Sequence, residues 1–474
     1  MVKILLINPI FQKSLSSPLP DRIERSRGRY PPIGLAYLAS MLLRHNHTTQ
    51  IYDADVEKKG IHGLIARLKR FKPDIVGITT TSFTFLQAKI TAKTVRMTLP
   101  EAKVLVGGPH VSIYPEEVLR NEEFDIAVKG EGEYTVVDLI EKLETNSDIR
   151  TVQGIVYHEN GKIHQNELRP PIENLDELPF PARKLLPNKK YYYPLGKKNP
   201  FTTVISSRGC PFNCIFCLRA AGTHFGRKFR ARSPLNICEE LEHIISSYDI
   251  REIFFYDDVF TANQKRIEDL CREIIRRKID ISWNCRTRVD TVTPKLLKLM
   301  KGAGCERIHY GIESGDENIL KNLRKNITIS QIRNGFSWTK ANEIETFAYI
   351  MLGAPGETSN SIRRTMQLLK KIQPSHVGFF ITTLFPGTNL YTSALEENLL
   401  STDVWKDFTL GKMKDQPLPY LEEAFNEAEL KNILKKCYRE YYFRLSYIWN
   451  RLKTIKSFSQ LLINLKGFSL ILNI

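Results

Sequence analysis

The twelve residues Ser206-Ser207-Arg208-Gly209-Cys210-Pro211-Phe212-Asn213-Cys214-Ile215-Phe216-Cys217 constrain this chain more than any other stretch. Three cysteines at spacing C-x3-C-x2-C on one short loop point their thiolates at a common centre, which is what a cluster of iron and sulfide needs from a protein. A structural zinc site closes with four ligands, and no fourth ligand lies near. A four-cysteine cluster leaves no iron exposed, whereas three cysteines leave one position open for a substrate or cofactor. The other cysteines, at 238, 271, 285, 305 and 437, are scattered singly and do not suggest paired bridges. Such usage suits a reducing cytoplasm.

At this loop the sequence resembles the radical S-adenosylmethionine enzymes. The resemblance implies that Cys210, Cys214 and Cys217 ligate a 4Fe-4S cluster. It implies that S-adenosylmethionine chelates the open iron and is cleaved reductively to a 5'-deoxyadenosyl radical. Phe216 matches the aromatic position that packs on the adenine.

The chain has 474 residues, enough for two or three domains each with a sizeable core. Its opening, Met1-Val2-Lys3-Ile4-Leu5-Leu6-Ile7-Asn8-Pro9, is too soon broken for a signal peptide, and no run of about 18 apolar residues follows. The reading is therefore cytoplasmic, with contact at the inner membrane face as the further option. Net charge is 69 minus 52, or +17, and from Lys431 onward nine Lys and Arg face the single acid Glu440. A polyanion or lipid contact is expected there first.

Residues 1–145 read as alternating strands and helices. Strands are expected at 2–7, 48–52, 75–79, 103–106 and 125–129, and helices at 34–44, 61–71 and 86–97. Apolar strands separated by helices of this length predict a doubly wound parallel sheet, whose ligands bind beyond the carboxyl ends of the strands. Thr80 and Ser82, Gly107-Gly108-Pro109-His110, and Gly130-Glu131 lie at those ends. No G-x-G-x-x-G follows the first strand, so a dinucleotide site is disfavoured.

The segment resembles the cobalamin-binding domain found ahead of radical S-adenosylmethionine domains, through Tyr30-Pro31-Pro32-Ile33-Gly34-Leu35-Ala36-Tyr37-Leu38-Ala39 and the Gly-Gly-Pro-His turn. The resemblance implies cobalamin held by Thr80, Ser82, Gly107, Gly108, His110, Gly130 and Glu131. Residues 9–29, after the first strand, hold no histidine and the D-x-H-x-x-G motif is absent, so no protein histidine is expected beneath the cobalt.

Residues 146–198 read as a connector, with a hairpin around Asn160-Gly161 and five prolines from Pro170 to Pro187. Residues 199–415 resume the alternation in six strand-and-helix units, which fits the partial (β/α)6 barrel of the radical superfamily. Reactive residues of barrels cluster at the carboxyl ends of strands. The resemblance places Asp257 and Asp258 at the amino group of S-adenosylmethionine, Arg286 at its carboxylate, and Glu313 and Ser314 at its ribose. Residues 416–474 read as a basic helical region.

Two cofactors together imply a cobalamin-dependent radical methyltransferase acting on an unactivated carbon of a small secondary metabolite or lipid. It would take electrons from a flavodoxin or ferredoxin. Relatives of the same architecture cyclise, rearrange or oxidise instead. A methylthiotransferase is disfavoured because no cysteine precedes Cys210. A non-catalytic cobalamin or redox sensor would need no open iron. Nothing resembles an RNA-binding module, so no nucleic-acid partner is expected.

Overall fold

The computed structural model of the protein describes residues 1–11, 28–57, 59–218, 226–413 and 418–454. Most of the loop after the first strand, the residues following the cysteine motif, and the end of the basic tail lie outside the described residues.

Five short apolar strands, β1 (Lys3–Asn8), β2 (Thr48–Asp53), β3 (Ile75–Thr79), β4 (Lys103–Gly107) and β5 (Ile126–Val128), build a parallel sheet in the order 2-1-3-4-5. Their continuous Val, Ile and Leu content reflects burial on both faces. Helix α1 (Ile33–Arg44) and α4 (Gly132–Glu144) cover one side, while α2 (Gly60–Phe71) and α3 (Phe85–Thr98) pack together on the other. The strand order reverses between β1 and β3, so the crevice of such a sheet opens there.

The hairpin β6 (Ile155–Glu159) and β7 (Lys162–Gln165) extends this sheet antiparallel to β5 and does not stand apart as a spacer. Its alternating inner residues Ile155 and Tyr157 join the sheet's core, which a free hairpin could not offer them. Asn160 and Gly161 both take positive φ, 49° and 73°, as the two-residue turn demands.

The second sheet holds six parallel strands in the order β8 (Phe201–Val204), β11 (Glu252–Phe255), β12 (Ser282–Thr287), β13 (Cys305–Glu313), β14 (Glu345–Leu352) and β15 (His376–Ile381). A two-residue ribbon, β9 (Ser207–Arg208) with β10 (Arg230–Ala231), frames the cysteine loop. Helices α5 (Pro234–Tyr248), α6 (Gln264–Arg276), α7 (Pro294–Gly302), α8 (Ile329–Ala341) and α9 (Ser359–Ile372) clothe the outer face. Ser233 caps α5, its Oγ accepting from Asn236 N at 3.2 Å with Pro234 in the first turn.

Buried charge fixes the units to one another. Arg183 of the connector forms an ion pair with Glu240 of α5 at 2.6 Å, and Arg232 joins that pair while reaching Tyr37 Oη of α1 at 3.4 Å. Residues after β15 return to the first sheet, where Leu390, Tyr391, Trp405 and Phe408 enter the core built by Phe85, Tyr114 and Phe124.

The basic terminal region is helical over α10 (Glu427–Tyr442) and again from Leu445 to Thr454. The α10 aromatics face the protein: Tyr442 Oη donates to Val377 O at 2.7 Å, and Tyr441 Oη donates to Pro374 O at 2.6 Å. No helix among the described residues is long and apolar enough to cross a membrane.

Candidate functional site

The cysteine loop begins where β8 ends, so the barrel's own geometry carries it to the carboxyl rim. Gly209 lets the chain turn: its φ is +82°, and a Cβ there would stand 2.1 Å from Lys228 O. The loop is pinned on its far side by Ile215, which donates its N–H to Leu323 O at 3.2 Å and accepts at its carbonyl from Leu390 N at 2.9 Å. Cys210 and Cys214 are buried and Cys217 is half-buried, all three as free thiols.

Burial pushes the Cys210 thiol up to about 11, with a smaller push from Cys217 and Cys214, which marks the three as electrostatic neighbours. Burial also raises Cys214, against the pull of Lys325 and Arg288. Among the described residues no three ligating side chains converge tightly enough for a single metal ion. Three thiols on one loop are the donor set of an iron-sulfur cluster with an open position.

Lys325 and Arg288 were not foreseen. Arg288 Nη1 donates to Cys214 Sγ at 3.8 Å, and its guanidinium lies 3.8 Å over the Phe212 ring. Lys325 pairs with Glu313 at 2.9 Å and stands 6.0 Å from the centre of the Phe216 ring. Cations here offset the negative charge that thiolate ligands bring. The signal for Arg288 was its spacing of two from Arg286 at a strand end; nothing local marks Lys325.

The predicted S-adenosylmethionine residues separate into groups. Asp258 is close enough to Cys210 to disfavour its thiolate, and Glu313 likewise acts on Cys214. Glu313 adopts φ +60° at an irregularity of β13, a conformation that costs energy outside glycine. Phe216 packs against the small cluster of Ile319, Leu323 and Ala354, as does Met351. Asp257, in contrast, is turned into the protein, accepting from Ser206 N at 2.7 Å, Ser206 Oγ at 2.5 Å and Ser207 Oγ at 2.7 Å. Ser314 Oγ accepts from Asp316 N at 3.2 Å and meets Thr365 Oγ1 at 3.3 Å. Arg286 sits among aromatic rings deeper in the barrel, its guanidinium 4.3 Å from the Tyr256 ring centre.

A cavity of about 170 Å³ lies at the carboxyl ends of the first sheet. Its walls are Ile4, Leu6, Leu38, Leu42, Val136 and Ile140, and its mouth is made by Gly107, Gly108, Gly130 and Glu131. Gly108 has φ +114°, and a Cβ on it would come within 2.5 Å of Thr80 O. Ile205 and Arg208, which lead into the cysteine loop, line the same cavity. The predicted Thr80, Ser82 and His110 are not part of this lining. Ser82 Oγ and His110 Nδ1 lie 3.0 Å apart, and His110 Nε2 and Thr409 Oγ1 also lie 3.0 Å apart. His110 is fully buried, and burial drives its pKa down to about 3, so it is neutral.

Glu131 is tied rather than open. It receives Arg208 at 3.1 Å, Arg230, and the N–H of Ile172 at 3.1 Å, while Arg208 also donates to Glu133 at 2.5 Å. Arg208, Arg230 and Glu133 went unforeseen, because each becomes informative only when the two domains are brought together.

Three thiols on a barrel rim beside a glycine-mouthed apolar slot define a radical enzyme with two cofactor sites. Comparison with known proteins agrees. The B12 binding domain family matches residues 21–140 and the Radical SAM superfamily matches residues 204–369. An uncharacterized methyltransferase of Pyrococcus horikoshii is 36% identical over 94% of this chain and 93% of its own. An anaerobic magnesium-protoporphyrin IX monomethyl ester cyclase of Rubrivivax gelatinosus is 27% identical, covering 89% of this chain and 75% of its own. Among solved structures, the radical S-adenosylmethionine methyltransferase TsrM of Kitasatospora setae, with cobalamin and a [4Fe-4S] cluster bound, superposes with a TM-score of 0.70 at 17% identity. That match covers 83% of this chain and 78% of TsrM. The chain belongs to the cobalamin-dependent radical S-adenosylmethionine methyltransferase-like family, and its cofactors are a 4Fe-4S cluster, S-adenosylmethionine and cobalamin.

Proposed function

We propose that this protein transfers a methyl group to an unactivated carbon of a small molecule or lipid. The observation that carries the reading is the shared cavity: Gly107, Gly108 and Gly130 of one domain and Ile205 and Arg208 of the other line one space. A ligand seated there lies at the threshold of the cysteine loop. When bound, the cluster with S-adenosylmethionine supplies a radical that removes hydrogen from carbon, and cobalamin supplies the methyl group.

The chain's own residues position and shield. Cys210, Cys214 and Cys217 would ligate the cluster, with Arg288 and Lys325 offsetting its charge. Asp257 holds the serines that precede the loop, and Phe216 fixes its far end. The apolar slot between β1, α1 and α4 and its glycine mouth would hold cobalamin, with Arg208 lining the same cavity. Asp258 and Glu313 remain the acceptors for S-adenosylmethionine that stand nearest the cysteines.

The test is anaerobic reconstitution with iron, sulfide and hydroxocobalamin, removal of unbound ligand, and product analysis under dithionite. Retained cobalamin with both 5'-deoxyadenosine and S-adenosylhomocysteine is expected. Deoxyadenosine without S-adenosylhomocysteine would sink methyl transfer. It would favour a cyclisation of the kind that the Rubrivivax relative's name states.

A further inference from the structure

Alternation along the barrel strands separates an inner wall from an outer one. On β15, Phe379 packs outward against Tyr438 of α10, with ring centres 5.1 Å apart. Gly378 and Phe380 therefore face inward; a Cβ on Gly378 would meet Phe380 Cε2 at 2.8 Å and Phe347 Cε1 at 3.0 Å. Phe380 stands 5.7 Å from Tyr349, and His309 stacks on Phe347 at 5.0 Å. This wall is aromatic, yet two of its rings stay open: Tyr256 is 38% exposed and Phe380 43%.

Beside them lies Arg286. Its guanidinium is 4.3 Å from the Tyr256 ring centre and 5.3 Å from that of Phe254, and its buried Nε has no hydrogen-bond partner. Among the described residues it forms no ion pair. Other deeply placed cations do: Arg183 with Glu240, Arg208 with Glu131 and Glu133, Arg288 with Asp290, and Lys325 with Glu313. Burial opposes the charge on Arg286, while the neutral phenols of Tyr256 and Tyr349 accept from it, and a guanidinium stays cationic throughout. Arg286 is half-buried, with its Nε enclosed; ring faces and phenols attract a cation without supplying a counter-charge, and a charge partly withdrawn from water is ordinarily paired. The cations that act most strongly on Cys214 are Lys325 and Arg288, not Arg286.

We infer that Arg286 anchors an anionic group, a carboxylate or phosphate, of the substrate, and that Tyr256 and Phe380 hold the substrate's apolar body. The inference rests on the methyl-transfer reading only in taking the barrel interior as the substrate's place. The competing source of the anion is the carboxylate of S-adenosylmethionine, and the test separates the two.

The probes are 1-naphthoate and its neutral counterpart 1-naphthamide, each dialysed to equilibrium against the cluster-reconstituted, cobalamin-loaded protein, with labelled S-adenosylmethionine in a parallel cell. Wild type is expected to prefer the acid by about tenfold or more. Arg286→Gln is expected to erase that preference and Arg286→Lys to retain part of it, with S-adenosylmethionine binding within about twofold of wild type in both. Cluster absorbance and far-ultraviolet dichroism check that each variant is folded. Equal binding of acid and amide by wild type, or binding of neither, overturns the inference. So does a loss of S-adenosylmethionine affinity of about tenfold in both variants. Because dialysis reads no turnover, an absence of methyl transfer leaves this result unaffected.

Discussion

Arg208 Nη2 donates to Glu133 Oε1 at 2.5 Å, fastening the second residue before the first cluster cysteine to the first turn of α4 in the other domain. Both side chains are almost wholly buried, and both line the cavity at the ends of the first sheet. Breaking such a pair leaves a charge without its partner, at about 3–5 kcal/mol. Glu133→Ala is expected to lower the free energy of unfolding from denaturant curves by that amount, with a correspondingly lower midpoint. It should also weaken hydroxocobalamin binding in equilibrium dialysis. An unchanged midpoint would show that Glu131 alone suffices to hold Arg208.

Asp257 gathers Ser206 and Ser207 through three hydrogen bonds and faces Arg266 at 3.8 Å. Its carboxylate thus organises the approach to the cysteine loop instead of reaching toward a ligand. Asp257→Ala should leave those donors unsatisfied, remove the carboxylate facing Arg266 while its bonds to Ser206 and Phe260 stay, and destabilise the fold by about 2–4 kcal/mol. Iron content after desalting should fall below that of an Asp258→Asn variant prepared in parallel. If Asp257→Ala kept its iron and stability but lost S-adenosylmethionine binding, the ligand role expected from its motif would be restored.

Much of this was legible because the strands carry their own signature. Ile75–Thr79 and His376–Ile381 fall where the sequence placed them, since continuous apolar runs between turn residues have few other uses in a chain of this kind. Cys210, Cys214 and Cys217 were legible for the same reason, being a local pattern on one loop. What escaped was the identity of side-chain partners. Asp257 and Arg286 occupy strand ends, as expected of ligand residues, yet the direction of each is set by Ser206 and Tyr256, which no local pattern connects to them. His110 likewise meets Thr409, 299 residues away. The β6–β7 hairpin was recognised as a hairpin, but its pairing with β5 is a matter of tertiary burial.

Gly108 tests the cobalamin slot. With φ at +114° and Thr80 O 2.5 Å from any added Cβ, Gly108→Ala forces either the backbone or the β3 terminus to move. The expected cost is about 1–3 kcal/mol, with a loss of retained cobalamin and little change in iron content. Gly161→Ala, where nothing lies within 4 Å of the new Cβ, is the matched control for positive φ alone. Equal cobalamin retention in the two variants would dissociate Gly108 from the site.

Glu357 gives the fold a dependence on pH. At the end of β14 its Oε2 accepts from Gly353 N at 2.6 Å and Ala354 N at 3.4 Å, and burial pushes its carboxyl up to about 7 against those two bonds. Its folded value lies above the ordinary 4.5, so the native state holds the proton more tightly than the unfolded chain does. The stability this contributes is full below about pH 4.5 and is lost as pH rises toward 7, on the order of 3 kcal/mol in total. Glu357→Gln keeps an acceptor for both N–H groups and cannot ionise. Unfolding midpoints compared between pH 5 and 8 should therefore fall more steeply for wild type than for the variant, and parallel curves would show that Glu357 is already charged throughout that range.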